Sequence, residues 1–306
     1  MSGEGPGAGP AAMRIGFVGL GAMGLPMALQ LLRRGFSVAG FDLRAPAAGA
    51  VAAAGGIAAA SAAEAARQAD MLVVMVVNSA QAEAVLFAPG VLEAMAPRGI
   101  VVLMATCAPS AVQAIAARVE AAQRRFVDAP VSGGVKGAST GTLTIMAAAP
   151  QATFDAARPV LQALGDKLFH LGETLGQGAM AKVVNQLLCG VHIAAAAEAL
   201  AFAEAAGLDA TTMLEIVGGS AAGSWMLRDR GPRMLEAAPA VASAVDIFVK
   251  DLGLVLDAGR GARAATPLAA LAHQMFLTAS GRGQGGADDS QVIESWRALN
   301  PAAGKG

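Results

Sequence analysis

The sequence predicts an α/β fold, in which a doubly wound parallel sheet domain is followed by an all-α domain and a long interdomain helix joins the two. Three observations support this prediction. Short apolar runs alternate with helical segments up to about residue 175. A glycine-rich turn separates the first apolar run from the first helix. From residue 176 onwards the apolar residues follow helical spacing alone.

The first elements are a buried strand at residues 15–18, a glycine turn and a helix at residues 25–34. The GxGxxG spacing in this order is the dinucleotide-binding fingerprint. Gly19 permits a sharp turn, Gly21 lets a pyrophosphate approach the backbone, and Gly24 lets the helix pack closely on the strand. The amides at the helix start favour phosphate groups. The predicted cofactor contacts here are Gly19, Leu20, Gly21, Ala22, Met23 and Gly24.

The second apolar strand, residues 36–41, ends at Asp42. A carboxylate at this point can accept hydrogen bonds from the ribose hydroxyls and repel a 2′-phosphate, which favours NAD over NADP. Arg44 follows two residues later, where its guanidinium can reach a 2′-phosphate. Because Asp42 stands at the strand end itself, it is given more weight, and the sequence predicts NAD. The competing interpretation is a glycine turn that serves packing only.

Composition excludes several functional classes. A chain of 306 residues is long enough for two domains, and its net charge of −1 gives no electrostatic reason for nucleic acid binding. No apolar run approaches the length expected of a membrane span. Residues 1–12 read as a flexible tail, as do residues 301–306. The two cysteines are predicted to be reduced core residues and the three histidines satisfied, partly buried ones, which predicts no metal site and a cytoplasmic protein.

Polar residues follow three later strands. Asn78 follows the apolar run at residues 71–77, and Thr106 follows the run at residues 100–104, so both are expected at the carboxyl edge of the sheet, where ligands collect. Ser132-Gly133-Gly134 follows the strand at residues 126–131, and its amides and hydroxyl can hold an anion such as a carboxylate. A simple turn fits this local sequence equally well. Two further strands, residues 143–147 and 167–171, are expected to extend the same sheet.

A helix over residues 179–206 is predicted to leave the first domain and enter the second. Lys182 and Asn185 are spaced i, i+3 and therefore share one face. Spacing alone leaves two interpretations of Lys182 open: a solvated surface lysine, or a desolvated amine whose lowered pKa suits a general acid/base. The predicted limits are residues 13–175 for the cofactor domain and 176–300 for the helical domain, with 176–206 as the interdomain helix.

Capping patterns mark the remaining helix starts. Ser61 and Glu64 form a predicted capping box, and a second is predicted over residues 243–246. Asp209 is a predicted N-cap, and a second helix is expected over residues 224–235. A further N-cap at Thr266 precedes a proline, and the last helix is expected over residues 288–299.

Four segments now stand in a recognisable order: the turn at residues 15–24, Asp128-Ala129-Pro130-Val131-Ser132-Gly133-Gly134, residues 176–185 with Lys182 and Asn185, and Lys250-Asp251-Leu252. Together they resemble the β-hydroxyacid dehydrogenases, the family of 3-hydroxyisobutyrate dehydrogenase. Residues 75–78, 224–227 and 246–252 look most like the branch of that family that oxidises L-threonate, a four-carbon sugar acid, with NAD.

The resemblance implies a Rossmann domain, an α-helical domain and a homodimer or homotetramer. It implies that Ser132, Gly133 and Gly134 bind the substrate carboxylate, that Lys182 is the general acid/base, and that Asn185 holds the hydroxyl or orients the amine. It also implies cofactor contacts from Asn78, Thr106 and Lys250. Trp225, Arg228 and Arg230 are candidates for the far end of the substrate, although surface or packing positions fit them equally well.

Alternative functions differ in substrate or in class. The same site would suit 3-hydroxyisobutyrate or tartronate semialdehyde. An imine reductase is disfavoured because that branch replaces the lysine, which is present here as Lys182. A non-catalytic nucleotide-binding module is a different class, and it should lack the lysine or the Ser-Gly-Gly loop, both of which this chain retains.

Overall fold

The structure, a computed structural model, describes residues 13–300. The predicted tails, residues 1–12 and 301–306, lie outside the described residues. The chain forms two compact units whose boundary lies between Lys182 and Val183. The assignment of residues 13–175 and 176–300 to separate functional domains stays a prediction.

The first unit is built on a parallel sheet of six strands in the order β3-β2-β1-β4-β5-β6. The strands are β1 Arg14–Val18, β2 Ser37–Phe41, β3 Ile57–Ala58, β4 Met71–Val74, β5 Ile100–Leu103 and β6 Arg125–Asp128. The chain adds β2 and β3 on one side of β1 and then β4, β5 and β6 on the other side. This is the topology of the doubly wound dinucleotide fold. The fold class predicted from the sequence is therefore confirmed.

Helices cover both faces of this sheet. They are α1 Gly24–Arg33, α2 Ala45–Ala53, α3 Ala62–Ala65, α4 Ser79–Leu86, α5 Val91–Ala94, α6 Pro109–Ala121, α7 Gly134–Thr140 and α8 Gln151–Leu164. Two separate apolar cores result: Met71 and Val73 of β4 belong to one, and Leu72 and Val74 belong to the other. Burial on both faces explains why β4 reads as an unbroken apolar run.

Residues 143–147 and 167–171 do not extend the parallel sheet, and that prediction was wrong. They contain β8 Thr144–Ala147 and β9 Lys167–His170, which form a second, three-stranded sheet with β7 Val131–Ser132. The reason lies after β6, where Pro130 has no amide proton to continue a ladder. The chain turns there, and β7 pairs antiparallel with β8 while β9 lies parallel to β8.

The second unit is helical. A long helix, α9 Gln177–Ala205, crosses the unit boundary, and it is followed by α10 Ala210–Gly218, α11 Trp225–Met234, α12 Val245–Ala262, α13 Pro267–Ala279, a π-helical turn Ser280–Gln284, a 3-10 helix Asp289–Val292 and α14 Ile293–Leu299. The core of the second unit includes Phe248 and Phe276, whose rings stack with centroids 5.1 Å apart.

Two of the four predicted helix caps are confirmed. The side chains of Ser61 and Asp209 each accept a hydrogen bond from a backbone amide of the first helical turn. Thr266 stands at the N-cap position of α13, but its side chain makes no capping hydrogen bond, so that prediction was wrong. The predicted capping box at residues 243–246 was wrong, because α12 starts after Ala244 without a side-chain cap. Asp246 instead accepts a hydrogen bond from the Ser280 hydroxyl, 2.6 Å away, so a tertiary partner takes the carboxylate.

By length and composition alone, α9 is long and apolar enough to cross a membrane, contrary to the expectation that no stretch would be. The core helix of a soluble protein passes the same test. Of its apolar window, 56% is buried within the protein, which is how such a core helix behaves.

Candidate active site

The three fingerprint glycines meet different surroundings. A Cβ atom on Gly19 would lie 2.2 Å from the Met75 carbonyl oxygen, and one on Gly24 would lie 1.8 Å from the Gly19 carbonyl oxygen. A Cβ atom on Gly21 would meet only Nη2 of Arg44, at 3.7 Å. The fold itself therefore requires Gly19 and Gly24, whereas Gly21 leaves open space beside the backbone.

This open space leads to the N-terminus of α1. No side chain of the described residues caps α1, and its first turn contains no acidic residue. An open groove of about 540 Å³ adjoins the turn, and Gly21, Ala22 and Arg44 line part of it. The backbone of the glycine turn and the positive end of a helix dipole fit the pyrophosphate of a dinucleotide. The residues present thus fit the cofactor that the fingerprint implies.

Asp42 holds the glycine turn in place. Its Oδ2 accepts the Leu20 amide at 2.7 Å, and its Oδ1 accepts the backbone amide of Arg44 at 2.9 Å and its Nε at 3.1 Å. Burial opposes ionisation, but these hydrogen bonds outweigh it and hold the pKa of Asp42 below its ordinary value. Asp42 therefore stays ionised, with Arg44 beside it as an exposed cation.

Asn78 and Thr106 follow neighbouring strands, Asn78 four residues after the end of β4 and Thr106 three residues after the end of β5. β1 pairs with β4 and β4 with β5, so the ends that precede Gly19, Asn78 and Thr106 are adjacent. The Asn78 side chain also caps α4, because its Oδ1 accepts the Gln81 amide at 2.9 Å. The Gln81 side chain in return accepts the Val77 amide at 3.0 Å. The sequence analysis did not foresee this structural function of Asn78.

The Ser-Gly-Gly segment begins in β7, where Ser132 pairs with Thr144, and ends at the first residue of α7. Gly133 and Gly134 have φ angles of +130° and +61°, which L side chains rarely adopt. A Cβ atom on Gly134 would meet nothing within 4 Å. The glycines are therefore required for the backbone conformation, and the backbone of Gly134 is left open to a ligand.

Lys182 lies on α9 and is buried, with 7% of its surface exposed. This burial contradicts the interpretation of Lys182 as a solvated surface lysine. Asn185 stands three residues further along the helix, and its Oδ1 lies 3.6 Å from Sγ of Cys189, which donates to it.

A buried carboxylate at the end of β6 is the clearest site feature that sequence reasoning missed. Oδ2 of Asp128 accepts the amides of Gly176 at 3.1 Å and Ala179 at 2.9 Å, at the start of α9. Burial raises the pKa of Asp128 to about 6, against hydrogen bonds from these amides and that of Gly178. Asp128 opens one of the four segments that carry the family resemblance, but the sequence analysis predicted no role for its carboxylate.

Lys250 lies on α12 and forms an ion pair with its neighbour Asp251, with 2.5 Å between Nζ and Oδ1. The other oxygen of Asp251 accepts Nε2 of Gln186 on α9, also at 2.5 Å. A Cβ atom on Gly190 would lie 2.7 Å from the Leu252 side chain, so the two helices pack closely there. The sequence analysis predicted a role for Lys250 but none for Asp251 or Gln186, which tie it to α9.

The candidate residues for the far end of the substrate differ in environment. Arg230 is buried, and its Nε and Nη2 bind Asp289 at 3.1 and 2.9 Å, so it belongs to an internal ion-pair cluster of the second unit. Trp225 and Arg228 are exposed. The packing interpretation therefore applies to Arg230.

The histidines and cysteines lie largely as expected. His170 and His273 each lie within hydrogen-bond distance of a backbone carbonyl, at 2.8 and 3.0 Å, whereas His192 is exposed rather than partly buried. Cys107 and Cys189 are free and buried. Within residues 13–300, no group of three or more histidine, cysteine or acidic residues is arranged to hold a metal ion.

Comparison with known proteins covers nearly the whole chain. Residues 14–172 match the NAD binding domain of 6-phosphogluconate dehydrogenase, and residues 176–296 match the NAD-binding domain of NADP-dependent 3-hydroxyisobutyrate dehydrogenase. An L-threonate dehydrogenase of Cupriavidus necator is 45% identical over 281 residues, which cover 92% of this chain and 95% of the relative.

Two further relatives carry other names. A 2-(hydroxymethyl)glutarate dehydrogenase of Eubacterium barkeri is 38% identical over 290 residues, covering 94% of this chain and 96% of the relative. The crystal structure of a 3-hydroxyisobutyrate dehydrogenase from Salmonella typhimurium aligns with a TM-score of 0.88 and 43% identity, covering 92% of this chain and 99% of that one. Similar proteins thus bear the names of several hydroxy acid substrates.

Proposed function

Because this chain belongs to the β-hydroxyacid dehydrogenase family, the NAD(P)-dependent oxidoreductases that act on CH–OH groups, we propose that it oxidises L-threonate with NAD. One observation carries the proposal. Lys182 is a buried amine on α9, and the start of that helix is hydrogen-bonded to the end of β6, the strand that leads into Ser132-Gly133-Gly134. A candidate base and a candidate carboxylate site are thus built on one strand end.

In this proposal the substrate carboxylate binds to the Ser-Gly-Gly segment. The Ser132 hydroxyl and the amides of Gly133 and Gly134 are the donors, and successive amides of this kind form anion-binding concavities. The positive φ angles of the two glycines allow their amides to turn out of the β7 strand direction. The carboxylate is the group that all candidate substrates share.

Lys182, in its neutral form, takes the proton from the substrate hydroxyl, and Asn185 donates a hydrogen bond to the same oxygen. Bound NAD supplies the acceptor for the hydride that leaves the hydroxyl-bearing carbon. A positioned general base of this kind contributes about 10²- to 10⁴-fold to a rate. Burial of Lys182 supports this role, since it keeps the amine away from bulk solvent.

The cofactor would be held by residues of the sheet edge. The proposed contacts are the turn residues Gly19, Leu20, Gly21, Ala22, Met23 and Gly24, the strand-end residues Asp42, Asn78 and Thr106, and Lys250. The ionised Asp42 favours NAD, because a 2′-phosphate would lie against its negative charge.

A panel of hydroxy acids tests the substrate. NADH or NADPH formation is measured by absorbance with L-threonate, 3-hydroxyisobutyrate and L-serine, and the reverse reaction is measured with tartronate semialdehyde. The proposal predicts the highest kcat/KM for L-threonate with NAD. A higher value for 3-hydroxyisobutyrate would favour the activity named for the similar Salmonella structure. NAD binding without turnover of any compound would indicate a non-catalytic binding module.

We further propose a homodimer or homotetramer in the cytoplasm. Large apolar side chains of the second unit stand exposed on α9 and α13, among them Val184, Leu188, Phe202, Leu268 and Leu271. Exposed apolar surface of this kind is typical of protein–protein interfaces. Light scattering on the purified chain gives the number of subunits, and a monomer at all concentrations would contradict the proposal.

A further inference from the structure

The start of α9 is closed by a carboxylate from a distant part of the chain. The first four amides of an α-helix have no partner within the helix. Here Asp128 accepts the amides of Gly176 and Ala179 through one oxygen, and its carboxylate also receives that of Gly178. With 1% of its surface exposed, Asp128 makes these contacts away from solvent. Its negative charge also complements the positive end of the helix dipole.

The backbone packs closely around these contacts. A Cβ atom on Gly178 would lie 2.5 Å from the Met146 carbonyl oxygen and 2.8 Å from that of Asp128. Asp128 itself is fixed, because its amide and carbonyl pair with Ala148 at 3.1 and 2.8 Å. The first turn of α9 is therefore pressed against β6 and β8 with Asp128 between them.

Asp128 is thus linked to both halves of the proposed site. Along the chain, Ser132 follows it by four residues. Through its hydrogen bond to Ala179, it holds a point on α9 that precedes Lys182 by three residues, a rise of about 4.5 Å along the helix axis. A rotation or slide of α9 by a fraction of a turn would move the lysine amine relative to the Ser-Gly-Gly segment.

If stability alone mattered, a carboxylate would be an unfavourable residue to bury at the start of a helix. Burial raises the pKa of Asp128 to about 6 in spite of its amide donors, so desolvation outweighs the hydrogen bonds. Serine or threonine caps a helix without burying a charge. The carboxylate accepts the amides of both Gly176 and Ala179 through one oxygen.

We propose that Asp128 is a positioning residue, which sets the register of α9 and thereby places the Lys182 amine relative to the substrate segment at Ser132–Gly134. The inference rests on the proposed role of Lys182 as the general base. Asp128 contacts neither substrate nor cofactor in this scheme and acts through the helix alone.

Two variants and one control test the inference. Asp128→Ala removes the acceptor, and Asp128→Asn retains one acceptor oxygen without the charge. Since misplacement of a catalytic group by about 1 Å can cost about 10²-fold, kcat of Asp128→Ala should fall by about that factor while the Kd of NAD changes little. Asp128→Asn should recover part of the loss. Asp209→Ala removes another aspartate cap, that of α10, and should leave kcat unchanged.

A double variant separates positioning from general damage. In the Lys182→Ala background, Asp128→Ala should cause no further loss of the residual turnover, because the group that it positions is absent. Losses that multiply would overturn the inference. So would a kcat of Asp128→Ala equal to that of the wild type while Lys182→Ala is impaired. Wild-type turnover in Lys182→Ala would instead overturn the proposed base.

Hydrogen exchange on the wild type gives a test that needs no variant. The amides of Gly176, Gly178 and Ala179 should exchange slowly, although they stand at the start of a helix, because Asp128 accepts them. Exchange of these amides as fast as that of unbonded amides would contradict the inference even if Asp128→Ala fails to fold.

Discussion

The starts of two helices in the first unit differ in what meets their amides. At α1, no side chain among the described residues caps the helix, and Gly21 leaves the approach to it open. At α9, Asp128 occupies the same kind of position, and Gly178 leaves no room for anything else. Both starts follow a glycine-rich segment at a strand end, so the local sequences are alike.

This difference separates binding from positioning. An open helix start offers its amides and its dipole to an anion from outside, as dinucleotide-binding folds do. A start that is closed by an internal carboxylate has no capacity left for a ligand, but it fixes the helix that follows. We infer that α1 serves the cofactor and that α9 serves the geometry of Lys182.

The largest effect on turnover is expected from Lys182, the proposed general base on α9. Lys182→Ala should lower kcat by about 10²- to 10⁴-fold, because it removes the general base. The Kd of NAD should stay near the wild-type value when it is measured by calorimetry or by the quenching of tryptophan fluorescence on addition of NAD. Lys167→Ala removes an exposed lysine of β9 and is the matched control, with no expected change in kcat. An unimpaired Lys182→Ala enzyme would remove the lysine from the mechanism.

The next effect concerns the open start of α1. Gly21→Val should weaken NAD binding at least about tenfold, or about 1.4 kcal/mol, because the side chain enters the space beside the turn. Its thermal stability should change little, since the nearest protein atom to a Cβ there is the flexible end of Arg44. Gly24→Val should instead fail to fold or melt far earlier, as its Cβ would strike the Gly19 carbonyl oxygen. Equal NAD affinity in Gly21→Val and the wild type would break the comparison at α1.

A smaller effect concerns the closed start of α9. Burial raises the pKa of Asp128 from 3.8 to about 6, so its contribution to stability is greatest below the lower value and is lost as pH rises through about 6. When pH is raised from about 5 to about 8, the free energy of unfolding of the wild type should therefore fall by about 1 kcal/mol relative to that of Asp128→Asn. Urea unfolding at both pH values measures it. A difference that is constant with pH, or that shrinks as pH rises, would contradict the account of Asp128.

The smallest effect concerns cofactor choice. Arg44 is the cation beside Asp42, and 67% of its side chain is exposed. Arg44→Ala should lower kcat/KM for NADP about threefold relative to that for NAD, because an exposed cation contributes little to binding. Steady-state rates with both cofactors measure the ratio. A wild-type preference for NADP would mean that Arg44 outweighs the Asp42 carboxylate.

The sequence predicted what local patterns encode. The fingerprint turn, the alternation of strands and helices and the caps at Ser61 and Asp209 all depend on residues a few positions apart. Contacts between distant residues were not predictable. Asp128 accepts a hydrogen bond from Ala179, 51 positions later in the sequence, and no local pattern at either residue predicts this contact.

The errors of the sequence analysis have the same origin. Residues 143–147 and 167–171 have strand patterns, but their sheet depends on how the chain turns after Pro130. Asp246 has the sequence of a cap, yet Ser280 takes its carboxylate through a contact spanning 34 positions. For the site, sequence reasoning supplied Lys182 and the Ser-Gly-Gly segment, whereas Asp128 needed the structure.

Hydride transfer from the hydroxyl-bearing carbon is the central claim of this account, and isotope transfer tests it most directly. L-threonate deuterated at C2, at C3 or at C4 is incubated with the enzyme and NAD, and the NADH is analysed by mass spectrometry. The account predicts one deuterium atom in NADH from one of the three labelled substrates. NADH without deuterium from any of the three, or no NADH from any hydroxy acid of the panel, would contradict it.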